Sequence, residues 1–325
     1  MTVISRLVLR LATAAAVACA ISPSAFALDY PTKPVRLIVG VAAGGANDTV
    51  ARLLAQILSE RLGQPVVVEN RPGAGGNIGL EAVVNAPPDG HTLLFASSAN
   101  VLAAAFYDKA NVNFARDIAP VTSLVRGPLI MDVNPSFPAR TIPEFIAYAK
   151  ANPGKINMAS AGIGNTTHVV GELFQMLTGT KFTHVPYRGG APAVTDLLSG
   201  QVQLYFDGIS ASLDHVRSGR LRALGVTTAQ RADVLPDVPA IGEFVPGYEA
   251  NGWYGIGVPK NVPAEIVDRL NKAVNASLAD PKLKTRLTDL GYATTGSSPA
   301  EFASMIAREI EKWAKVLKFA GVKPD

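Results

Sequence analysis

Histidine is the commonest general base and an everyday metal ligand, so the four histidines of this 325-residue chain bound its chemistry. His168 and Glu172 stand one helical turn apart, which puts a ring and a carboxylate on one face and permits a two-ligand metal site. No third ligand is visible, and neither H-E-x-x-H nor G-x-S-x-G occurs, so no metal is expected. A hydrolytic reading would use His168 as base and Ser160 or Ser97 as nucleophile, but no carboxylate stands where it would orient the base. His91 follows the turn Pro87-Pro88-Asp89-Gly90 and His215 sits on a short polar helix with Arg217, so both read as structural. His184 falls in a strand.

The glycine-rich loops offer a different chemistry. Gly73-Ala74-Gly75-Gly76-Asn77-Ile78-Gly79 approaches the dinucleotide fingerprint but has Ile78 where the third glycine belongs, and no Gly-Lys-Ser/Thr ending exists. No nucleotide or other cofactor is expected. In Ser160-Ala161-Gly162-Ile163-Gly164-Asn165-Thr166-Thr167-His168 a strand ends in small residues and a helix begins at Asn165 or Thr166, leaving hydroxyls beside free N–H groups, which suits a carboxylate. The loop Gly44-Gly45-Ala46-Asn47-Asp48 has the same build, with Asn47 or Asp48 as N-cap and Asp48 mainly a capping residue. Either loop alone also reads as a tight turn with ordinary capping. Tyr187 and Arg188, before a helix starting near Pro192, offer an aromatic face and a cation, and Asp207 at a strand end can accept a ligand's hydrogen bond. Trp253 is hinge core or cleft wall.

Alternating elements must position these loops. Val35–Gly40 reads as a strand, and Val50, Leu53, Leu54, Ile57, Leu58 and Leu62 follow at helical spacing. The same grammar recurs with strands at 65–69, 92–96, 118–121, 129–133, 156–160, 182–186, 202–206, 221–227 and 253–258, and with helices between them and after 263. This is an α/β protein. The tail has too few strands for a domain of its own and is expected to pack back on the first half. That gives a discontinuous domain 1 of about 28–126 plus 248–325 and an inserted domain 2 of 127–247, joined by a two-crossing hinge.

Composition narrows the setting. With 48% hydrophobic and 17% charged residues the chain is neither disordered nor a coiled coil, and its size suffices for a core without disulfides. Arg6 and Arg10, the apolar run Leu11–Ile21 and Ala25-Phe26-Ala27 form a secretory signal peptide over 1–27. Its removal takes Cys19 with it, the one cysteine, and leaves 28 basic against 26 acidic side chains. Thiol chemistry is excluded. Ala16-Val17-Ala18-Cys19 only loosely resembles a lipoprotein box. The small mature charge of +2, without a basic cluster, excludes nucleic acid as a partner.

Several runs carry a resemblance. Tyr30-Pro31-Thr32-Lys33-Pro34-Val35-Arg36, then Ala43-Gly44-Gly45 with Asp48 and Arg52, Gly63-Gln64-Pro65, and Glu69-Asn70-Arg71-Pro72-Gly73-Ala74-Gly75-Gly76 resemble the Bug-type receptors of the tripartite tricarboxylate transporters. Pro88-Asp89-Gly90, His184-Val185-Pro186-Tyr187-Arg188-Gly189, Leu221-Arg222-Ala223-Leu224 and Leu235-Pro236-Asp237-Val238-Pro239 extend the match over the mature chain. The resemblance implies a periplasmic, two-domain solute-binding fold of type II that closes on a small carboxylate and serves a two-component membrane permease. It implies contacts from Gly44, Gly45, Ala46, Asn47, Ser97 and Ser98 in domain 1. Domain 2 would add Ser160, Ala161, Gly164, Asn165, Thr166, His168, Tyr187 and Asp207. Ala46-Asn47 stands where Pro, Thr or Ser often precedes Asp, and Gly208 where Asn is frequent after Asp207. The expected function is therefore capture of a di- or tricarboxylate, acidic amino acid or aromatic acid by a monomeric, non-enzymatic receptor. A sensory subunit for a membrane signalling system shares the same cleft, and a secreted hydrolase is the third reading.

Overall fold

The computed structural model describes residues 29–106 and 111–320; the signal-peptide reading and Cys19 lie outside them. Its strands are β1 (Val35–Val39), β2 (Val66–Asn70), β3 (Thr92–Ser97), β4 (Ile118–Gly127), β5 (Leu129–Val133) and β6 (Asn157–Ser160). They continue with β7 (Thr183–Pro186), β8 (Leu204–Gly208), β9 (Arg222–Val226), β10 (Gly252–Pro259) and β11 (Ala293–Thr294). The helices are α1 (Ala46–Leu62), α2 (Asn77–Val84), α3 (Ser98–Phe106), α4 (Phe114–Asp117), α5 (Ile142–Ala151) and α6 (Thr166–Thr178). After these come α7 (Gly190–Ser199), α8 (Ile209–Arg217), α9 (Ala264–Leu278), α10 (Pro281–Asp289) and α11 (Pro299–Ala320).

From Pro31 onward the described residues form one compact unit built on two sheets. The first has the order β11-β4-β10-β3-β1-β2 and the second β7-β6-β8-β5-β9. In each, three strands run parallel (β2, β1, β3 and β7, β6, β8) and the next is antiparallel: β10 beside β3, β5 beside β8. Parallel strands need helical crossovers that cover both faces, so β3 is buried at every position from Thr92 to Ser97 and apolar from Leu93 to Ala96. Burying Leu93, Leu94 and Phe95 stabilises the fold by about 1.5–3 kcal/mol each. Sheet membership changes between Gly127 and Leu129, across Pro128, and changes back between Val226 and Gly252. The tail returns to the first sheet, where β10 fills the gap between β3 and β4.

Helix α11 goes further than its place beside that sheet. Phe302, Met305 and Ile306 pack with Ile38, Leu94 and Trp253 of the first core, whereas Trp313, Val316 and Leu317 join Phe174, Phe206 and Tyr248 in the core of the second sheet. One helix thus contributes to both cores.

Local chemistry fixes the helix starts. Thr141 caps α5 through a bond from the Glu144 N–H, and Asn165 caps α6 by accepting from Thr167 N–H at 3.2 Å. For α1 the expectation is corrected: the N-cap is Gly45, and Asn47 and Asp48 lie inside the first turn. Helix α7 begins at Gly190, two residues before Pro192.

Candidate functional site

The starts of five helices meet at one cavity. Gly45, Ala46 and Asn47 open α1, Ser98 opens α3, Asn165 and Thr166 open α6, Gly190 opens α7, and Gly208 precedes α8; all line its wall. Each start presents N–H groups without intrahelical acceptors and the positive end of a helix dipole. Among the described residues the wall holds no Lys, Arg or His. The positive potential therefore comes from backbone. About 40 Å³ is open to water centres, room for roughly three waters.

Side chains hold the loops in place. Asp48, buried, accepts from Gly44 N–H at 2.9 Å, Arg52 Nε at 2.9 Å and Asn70 Nδ2 at 3.0 Å, and Asn70 also donates to the Val41 carbonyl at 3.1 Å. Burial pushes the Asp48 carboxyl up, but these donors outweigh it and hold it below the usual carboxylate range. In the facing loop, Thr167 Oγ1 accepts from Ala161 N–H at 2.8 Å. The two sides meet directly: Ser98 Oγ lies 2.6 Å from Thr166 Oγ1, and Ala42 N–H donates to Arg188 O at 3.2 Å. A Cβ on Gly208 would fall 2.7 Å from Ala46 Cβ, so the two departures from the resembled pattern face each other.

Asp207 is the acid of the wall. Its Oδ1 accepts from Gly208 N–H at 2.8 Å and its Oδ2 from Ser212 Oγ at 2.8 Å. Burial pushes it up to about 6, against the pull of those donors. Alternation along β8 sends Leu204 and Phe206 into the core beneath and turns Tyr205 and Asp207 to the opposite face. Asp132 stands opposite Tyr205 in the β5–β8 register and so shares that face. Tyr254 and Tyr292, their hydroxyls 3.5 Å apart, close the wall from the first sheet's side.

Of the fourteen expected contact residues, the structure brings together Gly45, Ala46, Asn47, Ser97, Ser98, Ala161, Asn165, Thr166 and Asp207. It places the other five elsewhere. Gly44 spends its N–H on Asp48. Ser160, fully buried, has its hydroxyl 2.6 Å from His184 Nε2. Gly164 N–H donates to His168 Nδ1 at 3.2 Å, and the His168 ring stacks on His184 with centroids 3.8 Å apart and its Nε2 3.5 Å from Glu172. Tyr187 donates to Asp196 Oδ2 at 2.6 Å; burial and that carboxylate push its phenol up to about 12. His168 thus serves its own loop and lies outside the wall that holds Ser97. Trp253 packs edge-on against Phe302 in the core. Among the described residues no three His, Cys, Asp or Glu side chains gather as a metal site, and no helix is long and apolar enough to cross a membrane.

Sequence reasoning missed Thr167, Gly190, Tyr205, Tyr254 and Tyr292 in the wall. Tyr205 and Tyr254 carry a signal in the sequence, a phenol in an apolar run, and Tyr205 stands two residues before Asp207.

Two α/β lobes that meet over a polar cavity at helix starts define a solute-binding protein of the periplasmic class. Residues 50–322 match the profile of the tripartite tricarboxylate transporter family receptor, TctC, and the chain belongs to that family. Protein BugT of Bordetella pertussis is 36% identical over 297 residues, which are 90% of this chain and 91% of that protein. Among solved structures, R. palustris Rpa4515 with adipate is 37% identical with a TM-score of 0.88, covering 91% of this chain and all of that one. MatC (Rpa3494) from Rhodopseudomonas palustris with bound malate is 33% identical with a TM-score of 0.85, covering 89% and 100%. The protein is a Bug-type receptor, and its family binds solutes.

Proposed function

We propose that this receptor captures a small organic carboxylate, a di- or tricarboxylate, acidic amino acid or aromatic acid, between its two lobes and passes it to a two-component membrane permease. The observation that carries this reading is the convergence of five helix starts on a cavity without a cation. Backbone N–H groups and dipoles bind an anion there as they do at phosphate sites. The adipate and malate in two similar proteins support the ligand class. In this reading the lobes are 28–126 plus 248–325 and 127–247, and the contacts are the nine expected residues in the wall with the three tyrosines. The protein acts as a periplasmic monomer after loss of residues 1–27, without cofactor or covalent chemistry.

The test uses residues 28–325, unfolded and refolded to strip carried-over ligand, and thermal shifts with each acid class. A ligand at a hundredfold excess over its Kd adds about 2.7 kcal/mol and a visible rise in Tm. Silence from every carboxylate sinks the proposal.

A further inference from the structure

The cavity carries an acid where its cargo is an acid. Asp207 is 2% exposed, and the groups that face it offer no positive side chain. Tyr205 on its own strand and Tyr254 and Tyr292 across the cavity are phenols. Helices α1, α6 and α7 present only uncharged residues to the wall, and α8 sends Ser212 to its Oδ2. The remaining titratable neighbour, Asp132 on β5, is wholly buried, with neither oxygen in a hydrogen bond of good geometry. Burial, and the charge of Asp207 beside it, hold the Asp132 carboxyl well above the usual range.

The helix starts offer N–H groups and dipoles but no full positive charge. In the empty cavity the negative charge is that of Asp207, whose carboxyl burial raises to about 6. A bound dicarboxylate brings further negative charge into the same low-dielectric space, with no side-chain cation to compensate.

We infer that the cavity takes up its carboxylate together with one proton from solvent, held on Asp207, an inference that rests on the receptor reading above. Protonation converts an Asp207 oxygen from acceptor to donor, and its O–H then bonds the ligand's carboxylate in a short charge-assisted contact. A ligand bearing an ammonium group would neutralise Asp207 without a proton, which the experiment separates.

The experiment is isothermal titration of the refolded protein with adipate, malate and glutamate between pH 6.5 and 8.5, in buffers of different ionisation enthalpy. Both carboxyls of adipate and malate are ionised there. Expected is uptake approaching one proton per adipate or malate bound, and a Kd that weakens by up to about tenfold per pH unit. D207N should abolish both the uptake and the pH dependence while still binding at pH 8. Uptake that persists in D207N places the proton elsewhere and overturns the assignment. Dicarboxylate binding without uptake in the wild type overturns the inference while the receptor reading stands, as does binding of glutamate alone. Silence from all three probes, and from the tricarboxylates and aromatic acids of the thermal-shift test as well, overturns both.

Discussion

The hydroxyls of Ser98 and Thr166 lie 2.6 Å apart, and each belongs to the first residue of a helix on a different lobe. A single hydrogen bond thus ties these two helix ends together at the cavity wall. Thr166→Ala removes it at a net cost of about 1 kcal/mol, or roughly fivefold in ligand Kd. Titration calorimetry checks this, and Thr166→Ser should restore affinity. Unchanged affinity in the alanine variant would mean that the contact holds nothing.

Gly208 has φ −64°, a conformation open to any residue, so a methyl group there acts through space alone. Its Cβ would sit 2.7 Å from Ala46 Cβ on the other lobe. Gly208→Ala should therefore prop the lobes apart, weaken ligand binding at least tenfold and leave the ligand-free Tm within about 2 °C of wild type. Small-angle scattering with ligand present should record a larger radius of gyration than for the wild type.

His184 links stability to pH. Burial, with His168 beside it, pushes its ring from the ordinary 6.5 down to about 3, so the folded protein keeps the ring neutral where the unfolded chain is protonated. Its contribution is intact above pH 6.5 and is lost progressively as pH falls toward about 3. Asp207 works in the opposite sense between its ordinary 3.8 and about 6, because there the folded form holds the extra proton. Comparing the wild type with His184→Gln isolates the histidine: urea unfolding at pH 7 and pH 4.5 should show a smaller acid loss in the variant. An equal loss would refute the assignment.

Asp48→Ala strips the α1 loop of an acceptor for three donors. Hydrogen bonds to charged groups contribute about 1.5–3 kcal/mol, but Arg52 is half exposed and regains water, so a loss of about 2 kcal/mol in urea unfolding is expected. Ligand affinity should fall with it, because Gly45, Ala46 and Asn47 lose their fixed geometry. Normal affinity at unchanged stability would show that the loop holds its shape without Asp48.

Trp313→Ala removes the largest fully buried side chain, from the part of α11 that packs on the second core. The expected cost is about 3–5 kcal/mol in chemical unfolding. Trp313→Phe, which keeps most of the apolar volume, should recover the greater part.

The strand–loop–helix rhythm was legible because parallel strands are short apolar runs and their crossovers amphipathic helices. The cavity wall was legible where a backbone turn creates it, at 45–47 and 161–166, and less so where tertiary partners decide. Asp48 looked like a local cap, yet Asn70, distant in sequence, recruits it. His168 stands two residues past Thr166, a rotation of about 200° on a helix, and so points away from the wall that Thr166 lines. Tyr187 turns to Asp196, a pairing that no motif records. Tyr254 and Tyr292 come from the tail: the insertion of β10 beside β3 carries the first to the cavity, and the second directly precedes β11, which pairs with β4.

Because α11 is seated in both cores, the lobes cannot separate evenly. Near Trp313 they are pinned by buried apolar surface, whereas the meetings of Ala42 with Arg188 and of Ser98 with Thr166 are single hydrogen bonds. On the receptor function proposed above, release of cargo is then a swing about a fixed post, wide at the mouth and small at the post, and the proposed permease gains most leverage by gripping the mouth.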